Sequence, residues 1–259
     1  MEKPTILTID DEIDIIDIIT DIFSDSYQVL SSTNATEAIK IMEDNNIDLV
    51  ISDITMPGMN GLEFCNLVKS NTNLSHIPIV LLTGRADIDT KISGLNLGAD
   101  VYIEKPFSPS YLEAQVESLM KNRMKLKNYF ASQPLIMISS MAHTPTDSAF
   151  LISFERLIEE HLTDPYLDVD FLANKLFMSR ASLYRKIKAL SNLTPYEMIE
   201  LIKLNKAAKL IQTGAYKINE VAVVAGFSSP AQLSKSFKRK FGKSPHQFLS
   251  ETGTGFTES

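Results

Sequence analysis

A single cysteine, Cys65, in 259 residues excludes any disulfide within the chain and suits a reducing cytoplasm. Cys65 stands among the helical apolar positions Leu62, Leu67 and Val68, so a packed thiol is expected there. No apolar run approaches the roughly 18 to 20 residues that span a bilayer. The N-terminus lacks the basic, apolar and small-residue pattern of a signal peptide, so no membrane contact is expected of this chain. Histidine is sparse: His76, His143, His161 and His246 are scattered without metal-ligand spacing. No Ser-His-Asp set and no glycine-rich nucleotide loop is present, so neither enzymatic turnover nor ATP binding is expected.

What is present divides into two halves. Residues 1 to 125 hold 9 Lys and Arg against 20 Asp and Glu, a balance of −11, while residues 126 to 259 hold 16 against 12, or +4. Within 171 to 249 the count is 14 against 3. An acidic front and a basic back imply two domains with different partners, the second partner a polyanion.

The front half alternates apolar runs with helical patterns. Strands are expected at Thr5 to Ile9, Tyr27 to Ser31, Leu49 to Ser52, Ile79 to Thr83 and Val101 to Glu104. Helices are expected at Ile13 to Phe23, after Asn34, at about 61 to 70 and 87 to 97, and from Pro109. Five alternations demand a doubly wound, five-stranded parallel sheet with helices on both faces, an α/β fold.

The polar residues of this half fall at strand ends. Asp10 and Asp11 follow the first strand, Asp53 ends the third, Thr83 the fourth, and Lys105 with Pro106 follows the fifth. In open parallel sheets ligands gather there. Taken alone, Asp53 could be a core cap, a metal ligand or a nucleophile, the structural reading standing level with the functional ones together. In strand order 2-1-3-4-5 the ends of the first, third, fourth and fifth strands are neighbours. Carboxylates gathered there repel unless a cation sits among them, and an all-oxygen site suits Mg²⁺. Lys105 and Thr83 add the positive charge and hydroxyl that a transferred phosphoryl group needs.

This half resembles the receiver domain of bacterial response regulators over residues 4 to 125. The resemblance rests on the DD pair after the first strand, D-x-x-M-P-x-x-x-G from Asp53 to Gly61, Thr83-Gly84 and K-P-F from Lys105. It implies a flavodoxin-like sheet with Asp53 as phosphoacceptor, and Mg²⁺ held by Asp11, Asp53 and the Thr55 carbonyl, with Asp10 helping through water. It further implies that Lys105 pairs with the phosphoryl group across a cis bond to Pro106. Thr83 and Tyr102 would switch together, altering the face of the fourth helix, fifth strand and fifth helix. Ordinary strand packing for Tyr102 and helix capping for Asp10 are the alternatives.

Residues 127 to 150 are expected as a linker: LKNYF prolongs the fifth helix, then Gln133-Pro134, LIMISSM and HTPTDS break the periodicity. LIMISSM is expected to dock on one of the domains. Residues 151 to 250 read as all helix with an internal repeat of about fifty residues, and 251 to 259 as a tail. Val169, Leu172, Ala173 and Leu176 match Ile218, Val221, Ala222 and Ala225; after a short turn, helices starting at Ser179 and Ser229 follow. Thr194-Pro195 and Ser244-Pro245 then repeat as helix starts. Each unit is a helix-turn-helix. The free face of the first second-helix shows Arg180, Tyr184, Arg185 and Lys188; that of the second shows Gln232, Lys235, Lys238 and Arg239. Repeated basic faces favour phosphate and base contact over mere solvation. A rod from Pro195 to Gln212 would set the separation of the two readers.

This half resembles the AraC-type DNA-binding domain. The carrier is I-x-x-V-A-x-x-x-G-F-S from Ile218, with Phe237-Lys238, Phe241-Gly242 and Ser244-Pro245. The resemblance implies that Ala181 and Arg185, then Ala231 and Lys235, face bases, with Ser229 at the start of the second reading helix. Leu233 departs from the aromatic residue common at its position. Together the two resemblances imply a cytoplasmic two-component response regulator: a histidine kinase domain phosphorylates Asp53, two chains pair, and double-stranded DNA is bound, with RNA polymerase as a further partner. The alternatives are a DNA-binding protein whose receiver serves only dimerisation or docking, and a phosphate sink. The same pair of domains also occurs at the end of hybrid sensor kinases.

Overall fold

The computed structural model describes residues 3–84, 98–132, 135 and 137–252. The chain divides into two compact units, residues 1–126 with 142–147 and residues 127–141 with 148–259.

In the first unit β1 (Thr5–Ile9), β2 (Gln28–Ser32), β3 (Leu49–Asp53), β4 (Ile79–Thr83) and β5 (Val101–Glu104) pair in parallel, in the order β2-β1-β3-β4-β5. All residues of β3 and β4 are buried, which is why these runs are apolar without alternation. Period two sorts their side chains into two cores. Leu7, Ile9, Val50 and Leu81 pack with α2 (Ala35–Asp44) and α3 (Gly61–Ser70) through Ala38, Met42, Phe64 and Val68. Ile6, Ile51, Val80 and Ile103 pack with α1 (Ile13–Phe23) and α4 (Pro109–Ser132) through Ile19, Phe23, Leu112 and Val116. The helix expected at 87–97 lies outside the described residues.

Residues 127–150 are apportioned between the two units. The helix α4 runs on to Ser132, as LKNYF implied. A 3-10 turn follows at Ile138–Met141, and both of its apolar ends are fully buried in the second unit. Residues 142–147 instead belong to the first unit, where Thr146 Oγ1 donates to Lys69 O at 2.8 Å and Ser75 Oγ donates to Asp147 Oδ1 at 2.7 Å. Apolar side chains and a buried carboxylate both need partners, so residues 138–141 and 146–147 are packed rather than free.

The second unit is helical: α5 (Pro145–Glu160, entering from the first unit), α6 (Val169–Lys175), α7 (Arg180–Ser191), α8 (Pro195–Gln212), α9 (Ile218–Val224), α10 (Pro230–Phe241) and α11 (Pro245–Thr252). Ser179, Thr194 and Ser229 cap α7, α8 and α10 by accepting from the backbone N–H three residues on. The two turns share one bonding pattern. Phe177 N donates to Asn174 O and Met178 N to Ala173 O; Gly226 N donates to Val223 O and Phe227 N to Ala222 O. Both hinge residues are left-handed, with φ of 55° at Phe177 and 74° at Gly226. At Gly226 the close packing also demands glycine, since a Cβ there would stand 2.0 Å from Leu162 O. Phe177 meets no such wall and is 97% exposed. Leu233 fills its core position, fully buried beside Phe237, Phe241 and Phe248.

Candidate phosphoacceptor site and reading helices

At the C-terminal edge of the sheet, β3 ends on Asp53 and the chain leaving β1 places Asp10 beside it. Both carboxylates are buried, at 4% and 0% exposure. Lys105, leaving β5, joins them: its Nζ lies 2.8 Å from Asp10 Oδ2 and 2.7 Å from Asp53 Oδ1. Thr55 N donates to Asp53 Oδ2 at 2.6 Å and Glu12 N to Asp10 Oδ1 at 3.0 Å, so both carboxylates are aimed by backbone as well as by Lys105. Burial pushes the Asp10 carboxyl above its ordinary range despite Lys105. Burial would also lower the Lys105 ammonium, but its bonds to Asp10 and Asp53 outweigh that and raise it.

Among the described residues, two acids against one base leave a negative surplus in a poorly solvated place, and every donor is an oxygen. That set fits Mg²⁺, which takes one or two carboxylates and keeps several waters. Asp11 is exposed, and no group of three His, Cys, Asp or Glu side chains close enough to hold a metal occurs among the described residues. The structure therefore joins two of the three expected acids. Gly61 explains why the loop after Asp53 must end in glycine: a Cβ there would lie 2.1 Å from Asp53 O.

The helices expected to read DNA, α7 and α10, present their residues in two ways. Ala181, Lys188, Ala231, Gln232, Lys235, Lys238 and Arg239 are exposed, whereas Tyr184 and Arg185 are half-buried. Lys235, Lys238 and Arg185 enter no recorded ion pair among the described residues. Arg180 is engaged: it pairs with Asp170, donates from Nη2 to Tyr196 Oη at 3.2 Å, and lies 6.0 Å from the Tyr184 ring centre. Arg239 Nη2 donates to both oxygens of Glu200, at 2.7 and 2.5 Å. Gln232 Oε1 accepts from Ser228 N and Oγ, each at 2.8 Å, and Ser229 is the cap of α10, accepting from Gln232 N at 3.1 Å.

The model of the response regulator receiver domain matches residues 6–117, and that of a helix-turn-helix domain matches 172–251. The chain is a receiver joined to an AraC-type helix-turn-helix domain. Across 247 residues, 95% of its length, it is 36% identical to histidine kinase P4 of Formosa agariphila, of which it covers 18%. It is 37% identical over 135 residues to the transcriptional regulatory protein YvrH of Bacillus subtilis, covering 51% of this chain and 56% of that one. The chain thus spans about half the length of that regulator and under a fifth of that kinase. A solved receiver domain from Clostridium thermocellum is 32% identical, with a TM-score of 0.44, covering 48% of this chain and 98% of that one.

In the receiver, Thr83 is buried and its Oγ1 donates to Gly84 O at 3.0 Å, turned onto its own loop. At Gly84 itself a Cβ would meet nothing within 4 Å. Tyr102 packs against the α2/α3 core, and its hydroxyl has no hydrogen-bond partner among the described residues. Burial, then the nearby Cys65, pushes that phenol up to about 12. Lys105-Pro106 is cis, as the resemblance implied. Sequence reasoning missed a second charge cluster at the other edge of the sheet. Asp100 Oδ2 meets Lys69 Nζ at 2.8 Å, and Asp100 Oδ1 meets Arg123 Nη2 at 2.6 Å. Lys69, placed directly after the buried Val68 in α3, was the available signal: a lysine on the apolar face of a helix needs a buried partner.

Proposed function

We propose that this chain is a two-component response regulator in which phosphorylation of Asp53 controls binding of double-stranded DNA. The observation that carries this is the convergence of Asp10, Asp53 and Lys105 at one strand edge, in the same chain as two capped reading helices with exposed basic faces. A histidine kinase domain is the phosphodonor: the phosphorus–nitrogen bond of its phosphohistidine breaks as an Asp53 carboxylate oxygen bonds phosphorus. Thr55 N holds Asp53 Oδ2, leaving Oδ1, now on Lys105, as the attacking oxygen. Lys105 then moves its contact to the phosphoryl oxygens. Asp10, Asp53 and the Thr55 carbonyl, with Asp11 beside them, would hold Mg²⁺, which supplies charge neutralisation for the transferred group.

The product carries close to two negative charges. Thr83 would leave Gly84 O for the phosphoryl group, and Tyr102, already packed inward, would follow in reporting the change. Paired chains would gain affinity by linking two DNA sites. Arg185 is the foremost base reader, through bidentate contact to guanine, with Lys235, Ala181 and Ala231 facing bases and Lys188, Lys238 and Arg239 on phosphates. A cytoplasmic place and contact with RNA polymerase belong to the same reading. Among the described residues no helix is long and apolar enough to cross a membrane.

Acetyl phosphate with Mg²⁺, read by intact mass, should add one phosphoryl group to the wild type and none to Asp53→Ala. An unlabelled wild type, under conditions that label other receivers, removes the phosphorylation step. Equal operator affinity with and without beryllofluoride would instead support a receiver that only docks or dimerises. A second reading is favoured by the match over 95% of this chain to a protein named a histidine kinase and more than five times longer. In that reading the two domains serve a hybrid sensor, and the donor histidine is on the same polypeptide.

A further inference from the structure

We propose that Glu200 is a specificity-determining residue of the helix-turn-helix domain: an internal competitor that holds Arg239 away from DNA phosphate and so restrains binding to non-cognate duplex. The proposal rests on the DNA-binding reading above. Between residues 171 and 249 the chain keeps only three acids, Glu197, Glu200 and Glu220, among 14 basic residues. Two of them cap helices. Glu197 Oε2 accepts from Thr194 N at 2.7 Å and Thr194 Oγ1 at 2.9 Å, and Glu220 Oε2 accepts from Lys217 N at 2.9 Å. Glu200 lies inside α8, past the first turn, and has no capping duty. Both of its oxygens instead accept from Nη2 of Arg239 on the second reading helix.

The first reading helix also has an arginine held by an acid, with Arg180 paired to Asp170 of α6. On each of the two helices an acid from another helix occupies an arginine, although the two pairs stand at non-equivalent positions of the repeat. The Arg239 side chain is 64% exposed, so a phosphate can reach it and take the place of Glu200. An exposed pair of this kind is worth a factor of roughly 1.5 to 5 in an equilibrium constant. Non-cognate binding draws on phosphate contacts alone. A complex formed with Arg239 still on Glu200 lacks one of them.

The test is binding of the full chain to a random-sequence duplex, followed by fluorescence anisotropy across a salt series, with folding checked by circular dichroism. Glu200→Gln should tighten binding about two- to five-fold near 0.15 M salt and steepen the slope of log affinity against log salt by about 0.9, the signature of one added phosphate contact. Glu200→Ala should do the same. In an Arg239→Ala background neither change should appear, because Glu200 would have nothing left to hold. No tightening by Glu200→Gln, or equal tightening in the Arg239→Ala background, overturns the proposal; the latter would mean loss of a negative charge acting at a distance. A wild type that leaves the duplex unbound at low salt overturns the DNA-binding reading itself, and the proposal with it.

Discussion

Two clusters of buried charge stand at opposite edges of the receiver sheet, built from acids and bases in inverted proportion. At the C-terminal strand ends, two acids, Asp10 and Asp53, share one lysine. At the N-terminal ends of β4 and β5, one acid, Asp100, is shared by Lys69 and Arg123. The second cluster is closed by backbone: Lys69 Nζ also donates to Ile77 O at 2.9 Å, Arg123 Nη1 to His76 O at 2.6 Å, and Asp100 Oδ2 accepts from Ile79 N at 2.9 Å. Its spare positive charge is spread over carbonyl oxygens that cannot leave. Among the described residues the first cluster has a spare negative charge and two backbone donors, at Thr55 and Glu12. A buried cluster whose charges are met by fixed groups supports the fold, whereas one left with a surplus is able to bind.

The largest way to break this comparison is Asp100→Ala. It strands Lys69, 6% exposed, and Arg123, 11% exposed, without their carboxylate. Urea unfolding should show a loss of about 3 to 5 kcal/mol, unaffected by Mg²⁺. Lys105→Ala should cost about 2 to 3 kcal/mol in the presence of chelator, because Asp10 and Asp53 then face each other unpaired. Millimolar Mg²⁺ should restore much of that loss by binding the folded state alone. An equal Mg²⁺ response in both variants would erase the distinction between the two edges.

Smaller still is the acid response of the Asp100 cluster. Burial pushes the Asp100 carboxyl up, but Lys69 and then Arg123 outweigh it and hold it below the usual range. A depressed carboxylate contributes stability that is present above its unfolded value, near 3.9, and lost as pH falls through the folded value. Thermal melts from pH 5 downward should therefore fall less steeply in Asp100→Asn than in the wild type. The smallest effect expected is at the other edge: Asp10→Asn removes the surplus charge and should raise stability in chelator by about 1 kcal/mol while weakening the response to Mg²⁺. A destabilised Asp10→Asn would show that the surplus is not a strain on the fold.

The reading of strands and helices from the amino-acid order held best where one face or both were buried. The runs at β3 and β4, the polar residues at strand ends, and the Ser179 and Ser229 helix starts all stand where their patterns placed them. Less legible was residue 177, where no glycine marks a left-handed turn that Gly226 announces in the second copy. The difference is steric. Leu162 O crowds Gly226, while Phe177 points into solvent and bears only the cost of its own backbone conformation. The basic faces of the reading helices were legible as sets, but not which members were already occupied, since Asp170 and Glu200 come from other helices.

Local order, taken alone, determined the elements, the sheet's parallel winding, the doubled helical motif and the list of residues that could meet at the strand ends. Periodicity and capping act within a few residues, so they are written along the chain. Only the tertiary structure decided which charge meets which. Lys105 reaches Asp10 across 95 residues, Asp100 reaches Lys69 across 31, and Arg239 reaches Glu200 across 39. Such pairs are set by which strand or helix becomes whose neighbour and by how little water remains between them, and neither quantity has a local signature in the sequence.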